Sequence, residues 1–166
     1  MKKEFDNSFE KDKKGCAILG PSWTSLPFKQ NEQEPGCIWL KLMLSSMISD
    51  LINQGVRDFY TTCEYGAPLW AAEAVMNMSR LTPCYLHIVM PHEEQASGWP
   101  EDIRDRFFYL HENSADVILV DTYPTPETEN LCIIKLLENS SVILCSSQEK
   151  AKYAKFFADT KAFEYI

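Results

Sequence analysis

An excess of basic residues is missing from this sequence. The 16 lysines and arginines are outnumbered by 24 aspartates and glutamates, so the formal net charge is −8 at pH 7. General affinity for nucleic acid or for an anionic membrane requires a basic face. The composition therefore predicts no nucleic-acid partner and no membrane partner.

Paired cysteines and long apolar runs are missing as well. The six cysteines form no C-x-x-C pair, and none has zinc-finger spacing to a histidine. No apolar run approaches the ~20 residues that cross a bilayer. The charged residues 1–14 do not have the pattern of a signal peptide. We expect a reduced, soluble, cytoplasmic protein with no metal site.

What the sequence does contain is a regular alternation of strand and helix patterns. Residues 1–14 are predicted as a charged, solvated arm and residues 15–166 as a single domain. Strand patterns lie at 16–19, 56–60, 84–90, 115–120, 141–145 and 162–166. Helix patterns lie at 37–53, 68–78, from 100 onwards, at 125–139 and at 148–159. Residues 22–34 have no period and are predicted as a long loop.

This alternation has no hairpin signal between any two strands. Strands separated by helices are typically parallel and joined by right-handed crossovers. The sequence therefore predicts an α/β fold with three layers, a Rossmann-like doubly wound, mainly parallel sheet of five to six strands. Ligands of such sheets bind where strands end and the following helices begin.

The segment from Gly66 to Val75, GAPLWAAEAV, resembles the YpsA-type branch of the SLOG superfamily. These are Rossmann-like proteins related to DprA and to the lysine-decarboxylase-like proteins. Shorter matches continue in chain order at 89–91, 114–116, 123–124 and 140–141. The resemblance implies a pocket for a nucleotide or a nucleotide-derived ligand at the carboxyl edge of the sheet. The sequence itself identifies no cofactor with certainty.

The sequence departs from the family pattern where phosphate would be held. The first loop, 20–23, lacks the usual basic residue, and the usual glycine pair is replaced at 62–63. Pro68 stands where the family has an acid, and Glu129 stands where it has an arginine. Residues 146–148 replace a Gly-Gly-Thr loop. The scaffold therefore matches the family better than its phosphate-binding parts do.

The candidate ligand-binding residues follow the ends of the predicted strands. They are Gly20 and Trp23 after the first strand, Thr61, Thr62, Cys63, Glu64, Tyr65 and Gly66 after the second, Glu73 on the next helix, Pro91 and His92 after the third strand, Asp121 after the fourth and Ser146 after the fifth. Hydroxyl groups, a helix amino end and a flexible glycine suit an anionic group or a ribose.

Each candidate also has a structural alternative. Gly66 would be needed only for a positive φ, and Glu73 would tie down the loop at 22–34. Cys63 at a helix amino end would be a nucleophile if its pKa were lowered, but a packing role is the alternative. Trp23 would cover the edge of the domain, and Asp121 would cap a turn.

Three functions are compatible with these residues. The first is a module that binds a small anionic or nucleotide-like ligand without strong catalysis. The second is a nucleotide or nucleoside hydrolase, although the Pro-Gly-Gly-x-Gly-Thr loop of such relatives is absent. The third is a degenerate family member that acts through protein contacts, with a homodimer as the simplest case. An apolar patch on the exposed face of the helix at 37–53 would favour the third.

Overall fold

The computed structural model describes residues 15–146 and the backbone of residues 162–165. Its strands are β1 (Gly15–Leu19), β2 (Asp58–Thr61), β3 (Tyr85–Met90), β4 (Asp116–Leu119), β5 (Val142–Cys145) and β6 (Ala162–Tyr165). Its helices are α1 (Pro35–Asn53), α2 (Ala67–Met78), α3 (Glu101–Asn113) and α4 (Thr128–Glu138), and one short 3-10 helix covers Trp23–Ser25.

The described strands form one sheet in the order β4-β3-β2-β1-β5-β6, with every neighbouring pair parallel. Strands β2 to β4 lie on one side of β1, and β5 and β6 lie on the other. The winding direction therefore reverses between β1 and β5, and the doubly wound α/β prediction is confirmed. Ligands of such sheets bind beside the reversal point, which here lies after Leu19 and Cys145.

The layers follow from the alternation of side chains along β1. Cys16 and Ile18 belong to the apolar cluster that contains the buried residues of α1, α2 and α3. Ala17 and Leu19 belong to a second cluster, with the buried residues of α4. The sheet thus lies between two helical layers. All of β1 is buried, as a central parallel strand requires.

The carboxyl end of α1 is closed by Gly55, as its position in the sequence predicts. Gly55 has a φ of 99°, which is rare for residues with a side chain. Its N–H donates to Ile52 O at 3.0 Å, and the N–H of Val56 donates to Leu51 O at 3.0 Å. This pair of bonds is the Schellman motif. It turns the chain directly into β2.

The helix α2 is the most enclosed of the four. Its residues from Ala67 to Ala72 are all buried, and it contacts α1, α3 and the sheet. The apolar residues around its whole circumference predict this position. A helix placed so deeply holds the β2–α2 loop firmly at the carboxyl edge.

The described helices start one to three residues away from the predicted positions. The largest difference is in α4, which begins at Thr128, whereas Thr125 and Pro126 are predicted as its N-cap and first residue. The N–H of Thr125 donates to Thr128 Oγ1 at 2.8 Å, which closes a turn before the helix. Helix α3 begins at Glu101, with Pro100 as its N-cap. The final strand is confirmed as β6. The arm at 1–14 and the helix predicted at 148–159 lie outside the described residues.

Within the described chain, α1 alone is long and apolar enough to be a candidate membrane span, with 19 residues and a mean hydropathy of 1.2. The same test is passed by core helices of soluble proteins. One face of α1 packs Leu44 and Ile48 against the core, whereas Ile38, Trp39 and Leu42 are exposed. The cytoplasmic location stays a prediction.

Candidate functional site

A cavity of about 530 Å³ lies at the carboxyl edge of the sheet, beside the reversal point. Its volume falls in the range of small-molecule sites. The loops after β1, β2, β3 and β4 and one side of α4 enclose it. Its polar lining residues are Ser22, Ser25, Thr62, Glu64, His92, Gln95, Thr125, Thr128 and Glu129. Five predicted residues lie in this lining: Gly20, Thr62, Glu64, Pro91 and His92.

Three buried polar atoms at this edge have no hydrogen-bond partner. They are His92 Nδ1, Gln95 Oε1 and Ser146 Oγ, and Trp70 Nε1 is the only other such side-chain atom in the described part of the chain. Buried polar atoms are nearly always paired with protein, water or ligand. These atoms leave hydrogen-bonding capacity at one edge of the sheet, which water or a ligand would satisfy.

The orientation of Gln95 is fixed by the neighbouring loop. Its Nε2 donates to Thr62 O at 2.9 Å. The amide oxygen Oε1 is therefore the atom left without a partner, and it can only accept a hydrogen bond. Gln95 was not among the predicted site residues, although it lies three positions after His92 on the same loop.

Ser146 follows the end of β5 and lies next to Gly20, which follows the end of β1. Its N–H donates to Leu19 O at 3.0 Å, which continues the ladder between β1 and β5. A Cβ built on Gly20 would lie 2.7 Å from Ser146 Oγ and 2.7 Å from Ala67 Cβ. A side chain at position 20 would thus displace both neighbours. Gly20 is needed for this close approach.

The amino end of α2 has its backbone donors already occupied. The N–H of Ala67 donates to Pro21 O at 3.1 Å, that of Leu69 to Glu64 O at 3.0 Å and that of Trp70 to Gly66 O at 3.1 Å. Pro68, the remaining residue of this turn, has no N–H. A helix amino end binds anions through donors of this kind. In α2 they are used within the protein.

Gly66 lies against the β1 loop and not in the cavity lining. Its φ is 131°, and a Cβ built on it would lie 2.6 Å from Pro21 O and 2.7 Å from Trp23 N. The N–H of Trp23 also donates to Tyr65 O at 2.8 Å. Conformation and packing together require glycine here. These contacts support the structural alternative for Gly66.

Thr61 and Cys63 lie beneath the loop and are fully buried. Thr61 Oγ1 donates to Pro68 O at 3.3 Å and accepts the N–H of Cys63 at 3.2 Å. Burial, with a smaller contribution from Glu73, raises the pKa of the Cys63 thiol. A nucleophile needs the opposite shift. These facts favour packing over nucleophilic chemistry for Cys63.

The aromatic candidates form a cluster behind the cavity. Tyr65 is buried, and its ring centroid lies 5.9 Å from that of Trp23, 6.4 Å from that of Trp70 and 6.4 Å from that of Trp99. Trp99 is the member that also lines the cavity. Trp23 therefore covers Tyr65 at the domain edge, in agreement with its structural alternative.

Glu73 forms an ion-pair network on the α3 side of α2, away from the cavity lining. Arg106 donates to Glu73 through Nε at 2.7 Å and through Nη2 at 2.8 Å. The same guanidinium donates to Glu32 Oε2 at 2.6 Å, and Glu32 also pairs with Lys41. Through Arg106, Glu73 holds the loop at 22–34. This geometry matches the structural alternative for Glu73.

This network stabilises the charged form of Glu32. Burial alone would raise the pKa of its carboxyl group, but hydrogen bonds from Arg106 and Lys41 outweigh burial and hold the pKa below the ordinary value. Arg106 in turn has its pKa raised by Glu73. The three elements that carry these residues are locked together in the charged state.

Asp121 forms a turn next to the cavity lining. Its Oδ1 accepts the N–H of Thr122 at 2.8 Å, and its own N–H donates to Pro91 O at 3.1 Å. Asp121 thereby joins the loop after β4 to the loop after β3. The binding roles of all thirteen candidates stay predictions.

Two carboxylates, Glu64 and Glu129, are among the lining residues, and no lysine or arginine of residues 15–146 is among them. Glu129 occupies the position where the family pattern has an arginine. This change of charge sign is the feature of the sequence that could have identified Glu129 as a residue of the cavity. In residues 15–146 no group of three His, Cys, Asp or Glu side chains is arranged to hold a metal ion.

Comparison with known proteins supports the fold and places the chain in a family. The family model YpsA, described as the YspA SLOG family, matches residues 18–164. The chain belongs to the YpsA SLOG family. The match includes every strand of the described sheet except the start of β1 and the last residue of β6. The resemblance at Gly66–Val75 is thereby confirmed at the level of the whole domain.

Three proteins similar to this YpsA-family chain carry the name UPF0398 protein. One from Bacillus cereus strain G9842 is 27% identical over 137 residues, covering 80% of this chain and 73% of the relative. One from Bacillus thuringiensis strain Al Hakam is 27% identical over 140 residues, covering 82% and 76%. One from Lactobacillus acidophilus is 30% identical over 84 residues, covering 50% and 45%. The names record no ligand or reaction.

Proposed function

We propose that this YpsA-family domain is a binding module for a small nucleotide-derived ligand, held in the cavity at the carboxyl edge of the sheet. The observation that supports it is the group of unpaired buried atoms, His92 Nδ1, Gln95 Oε1 and Ser146 Oγ, beside that cavity. The family resemblance supplies the nucleotide-derived class of ligand.

The free energy of binding comes in part from these atoms. A buried polar atom without a partner costs about 1–3 kcal/mol, and a ligand that supplies the missing hydrogen bond recovers part of that cost. The apolar lining, which includes Trp99 and Ile133, contributes the hydrophobic part. A site with apolar sides and a few convergent polar atoms is typical of small-molecule pockets.

A thermal-shift screen tests the proposal. The panel contains nucleosides, nucleotides, dinucleotides, ADP-ribose and sugar nucleotides. A ligand at about 100 times its Kd stabilises the native state by roughly 2.7 kcal/mol. The variant Gln95→Leu should lose the shift, whereas Ser97→Ala, an exposed position on the same loop, should keep it. No shift with any member of the panel would reject the proposal.

The same compounds separate binding from catalysis. The binding-module proposal expects nucleosides and nucleoside monophosphates to remain intact after prolonged incubation, as measured by chromatography of the free base. Release of base that depends on Glu129 would favour the hydrolase alternative instead, because carboxylates are the usual catalytic groups at glycosidic bonds.

A second candidate function, self-association through α1, is favoured by one observation. Ile38, Trp39 and Leu42 are 45%, 58% and 65% exposed on adjacent turns of that helix. Burial of such side chains stabilises an interface by about 1.5–3 kcal/mol each. Light scattering at several concentrations tests it: Leu42→Glu should dissociate the dimer, whereas Asn130→Glu, an exposed position on α4 across the sheet, should not. A monomer at every concentration would reject it.

A further inference from the structure

We propose that Gln95 is a specificity-determining residue of the cavity, and that its amide oxygen accepts a hydrogen bond from a ribose hydroxyl or from the amino group of a base. This inference rests on the proposed function and assigns part of its specificity to one residue. Three properties of Gln95 lead to it: the place where the residue is held, the orientation of its amide and the polarity of its unpaired atom.

The backbone around Gln95 is fixed by the turns between β3 and α3. The N–H of Gln95 donates to His92 O at 3.4 Å, and the N–H of Trp99 donates to Ala96 O at 3.1 Å. Ala96 is 6% exposed and belongs to the apolar cluster that contains the buried residues of α1, α2 and α3. Gln95 therefore lies on an anchored segment, and both Gln95 and Trp99 line the cavity.

The side-chain amide of Gln95 has one favourable orientation. Its Nε2 donates to Thr62 O at 2.9 Å. The reversed amide would place Oε1 against that carbonyl oxygen, and two acceptors form no hydrogen bond. Thr62 is held in turn, because its Oγ1 accepts the N–H of Glu64 at 3.3 Å. The amide oxygen of Gln95 is thus kept buried and has no partner among the described residues.

Among the three unpaired buried atoms at this edge, the Gln95 oxygen alone fixes the polarity of its partner. The Ser146 hydroxyl can donate or accept, and His92 Nδ1 donates in one tautomer and accepts in the other. An amide oxygen can only accept. It is also uncharged, so it selects for a donor group and not for the net charge of the ligand.

The selectivity follows from the cost of a buried acceptor that stays unpaired. A ligand that fills the cavity excludes water from this oxygen, so the ligand has to supply the hydrogen bond itself. An amino or hydroxyl group does so. A keto oxygen, a ring nitrogen without hydrogen or a C–H group does not, and sites built to receive a donor reject analogues that lack it.

Calorimetric titration of matched nucleotide analogues tests the inference on the full chain. The parent probes are AMP and CMP at pH 8, where the phosphate is a dianion, so that their donors are the two ribose hydroxyls and the amino group of the base. Each parent is compared with its 2′-deoxy, 3′-deoxy and desamino analogues. For the tighter parent, loss of one donor should weaken binding to the wild type about fivefold or more, which corresponds to about 1 kcal/mol.

The variant Gln95→Met identifies the residue that reads this donor. In Gln95→Met the same analogue and its parent should bind within about twofold of each other. Loss of the bond to Thr62 O affects both compounds alike, so the ratio of their Kd values isolates the amide oxygen. Ser97→Ala, an exposed position on the same loop, should keep the ratio of the wild type. Circular dichroism of each variant confirms that the domain remains folded.

The failure of this inference is distinguishable from the failure of the proposed function. If every analogue bound the wild type as tightly as its parent, no donor would be read and the inference would be wrong, while the binding module would stand. An analogue that stays equally weak in Gln95→Met would assign the donor to another residue and also overturn the inference. If neither AMP nor CMP binds, the inference is overturned, and the thermal-shift panel decides the proposed function separately.

Discussion

The two serines that flank β5 give opposite predictions for the same substitution. Ser140 is 4% exposed, and its hydroxyl donates to Leu136 O at 2.7 Å. Ser146 Oγ is also buried but has no partner. Changing Ser140 to alanine removes a satisfied hydrogen bond, whereas changing Ser146 to alanine removes an unsatisfied hydroxyl. The local chain context is similar, which makes each variant the control for the other.

The expected changes in the free energy of unfolding follow from the contribution of a satisfied hydrogen bond and the cost of an unsatisfied buried hydroxyl. Loss of the Ser140 bond should lower the free energy of unfolding by about 1 kcal/mol. Ser146→Ala should leave the free energy of unfolding unchanged or raise it by up to about 1 kcal/mol, because a desolvated hydroxyl is removed. The two variants should therefore differ by about 1–2 kcal/mol.

Urea unfolding followed by tryptophan fluorescence measures this difference. With an m-value of about 2 kcal/mol/M, a change of 1 kcal/mol moves the midpoint by about 0.5 M. An unchanged m-value shows that stability alone has changed. If Ser146→Ala were as destabilising as Ser140→Ala, the Ser146 hydroxyl would have a partner. One of the three atoms that support the binding site would then be lost.

Three further predictions concern the framework of the site. The pKa of Glu32 is held below its ordinary value of 4.5, so its ion pairs stabilise the fold above that pH, and this stabilisation is lost as the pH falls through the folded pKa. Arg106→Met should reduce the loss of stability at acidic pH, measured by urea unfolding at several pH values. The same pH dependence in the variant and the wild type would contradict the pairing. Gly66→Ala should lower the free energy of unfolding by about 1–3 kcal/mol, because of its positive φ and its close contacts. Gly98→Ala is the control: a Cβ built there has no heavy atom within 4 Å, so the free energy of unfolding should not change in the same urea experiments. Equal stability of the two variants would contradict this packing. Cys63 should resist iodoacetamide in the native state and react after unfolding, as mapped by mass spectrometry, because burial raises its pKa; rapid native labelling would show that the loop opens.

Local sequence signals predicted the elements of the fold well. The glycine stop at Gly55 depends only on residues 51–56, so it is visible from the order of residues alone. The continuous apolar run of β1 and the all-round apolar surface of α2 reflect burial on both sides, which composition records directly. The location of the cavity follows from the rule for doubly wound sheets and needs no side-chain detail.

Contacts between distant segments could not be predicted from the sequence. Glu73 pairs with Arg106, 33 residues away, and this ion pair gives the carboxylate a structural role. The N–H of Ala67 donates to Pro21 O, which belongs to the loop after β1. Candidate residues close behind a strand end, such as Thr62 and His92, lie in the lining because the end of the strand alone places them there.

The start of α4 illustrates a conflict between two local signals. The pair Thr125-Pro126 has the pattern of an N-cap and first helical residue. Thr128, however, accepts the N–H of Thr125 through its side chain and is itself 4% exposed. Burial of this threonine favours the later start. The consequence is that Thr125 and Thr128 both line the cavity.

The central claim is that a small ligand binds in the cavity through the unpaired atoms. Nuclear magnetic resonance of the ¹⁵N-labelled protein, titrated with the tightest-binding compound of the thermal-shift panel, tests it most directly. The account predicts saturable shifts of the Gln95 side-chain amide and the His92 ring nitrogens, with α1 signals unchanged. Shifts confined to α1, or no saturable shift with any compound of the panel at millimolar concentration, would contradict it.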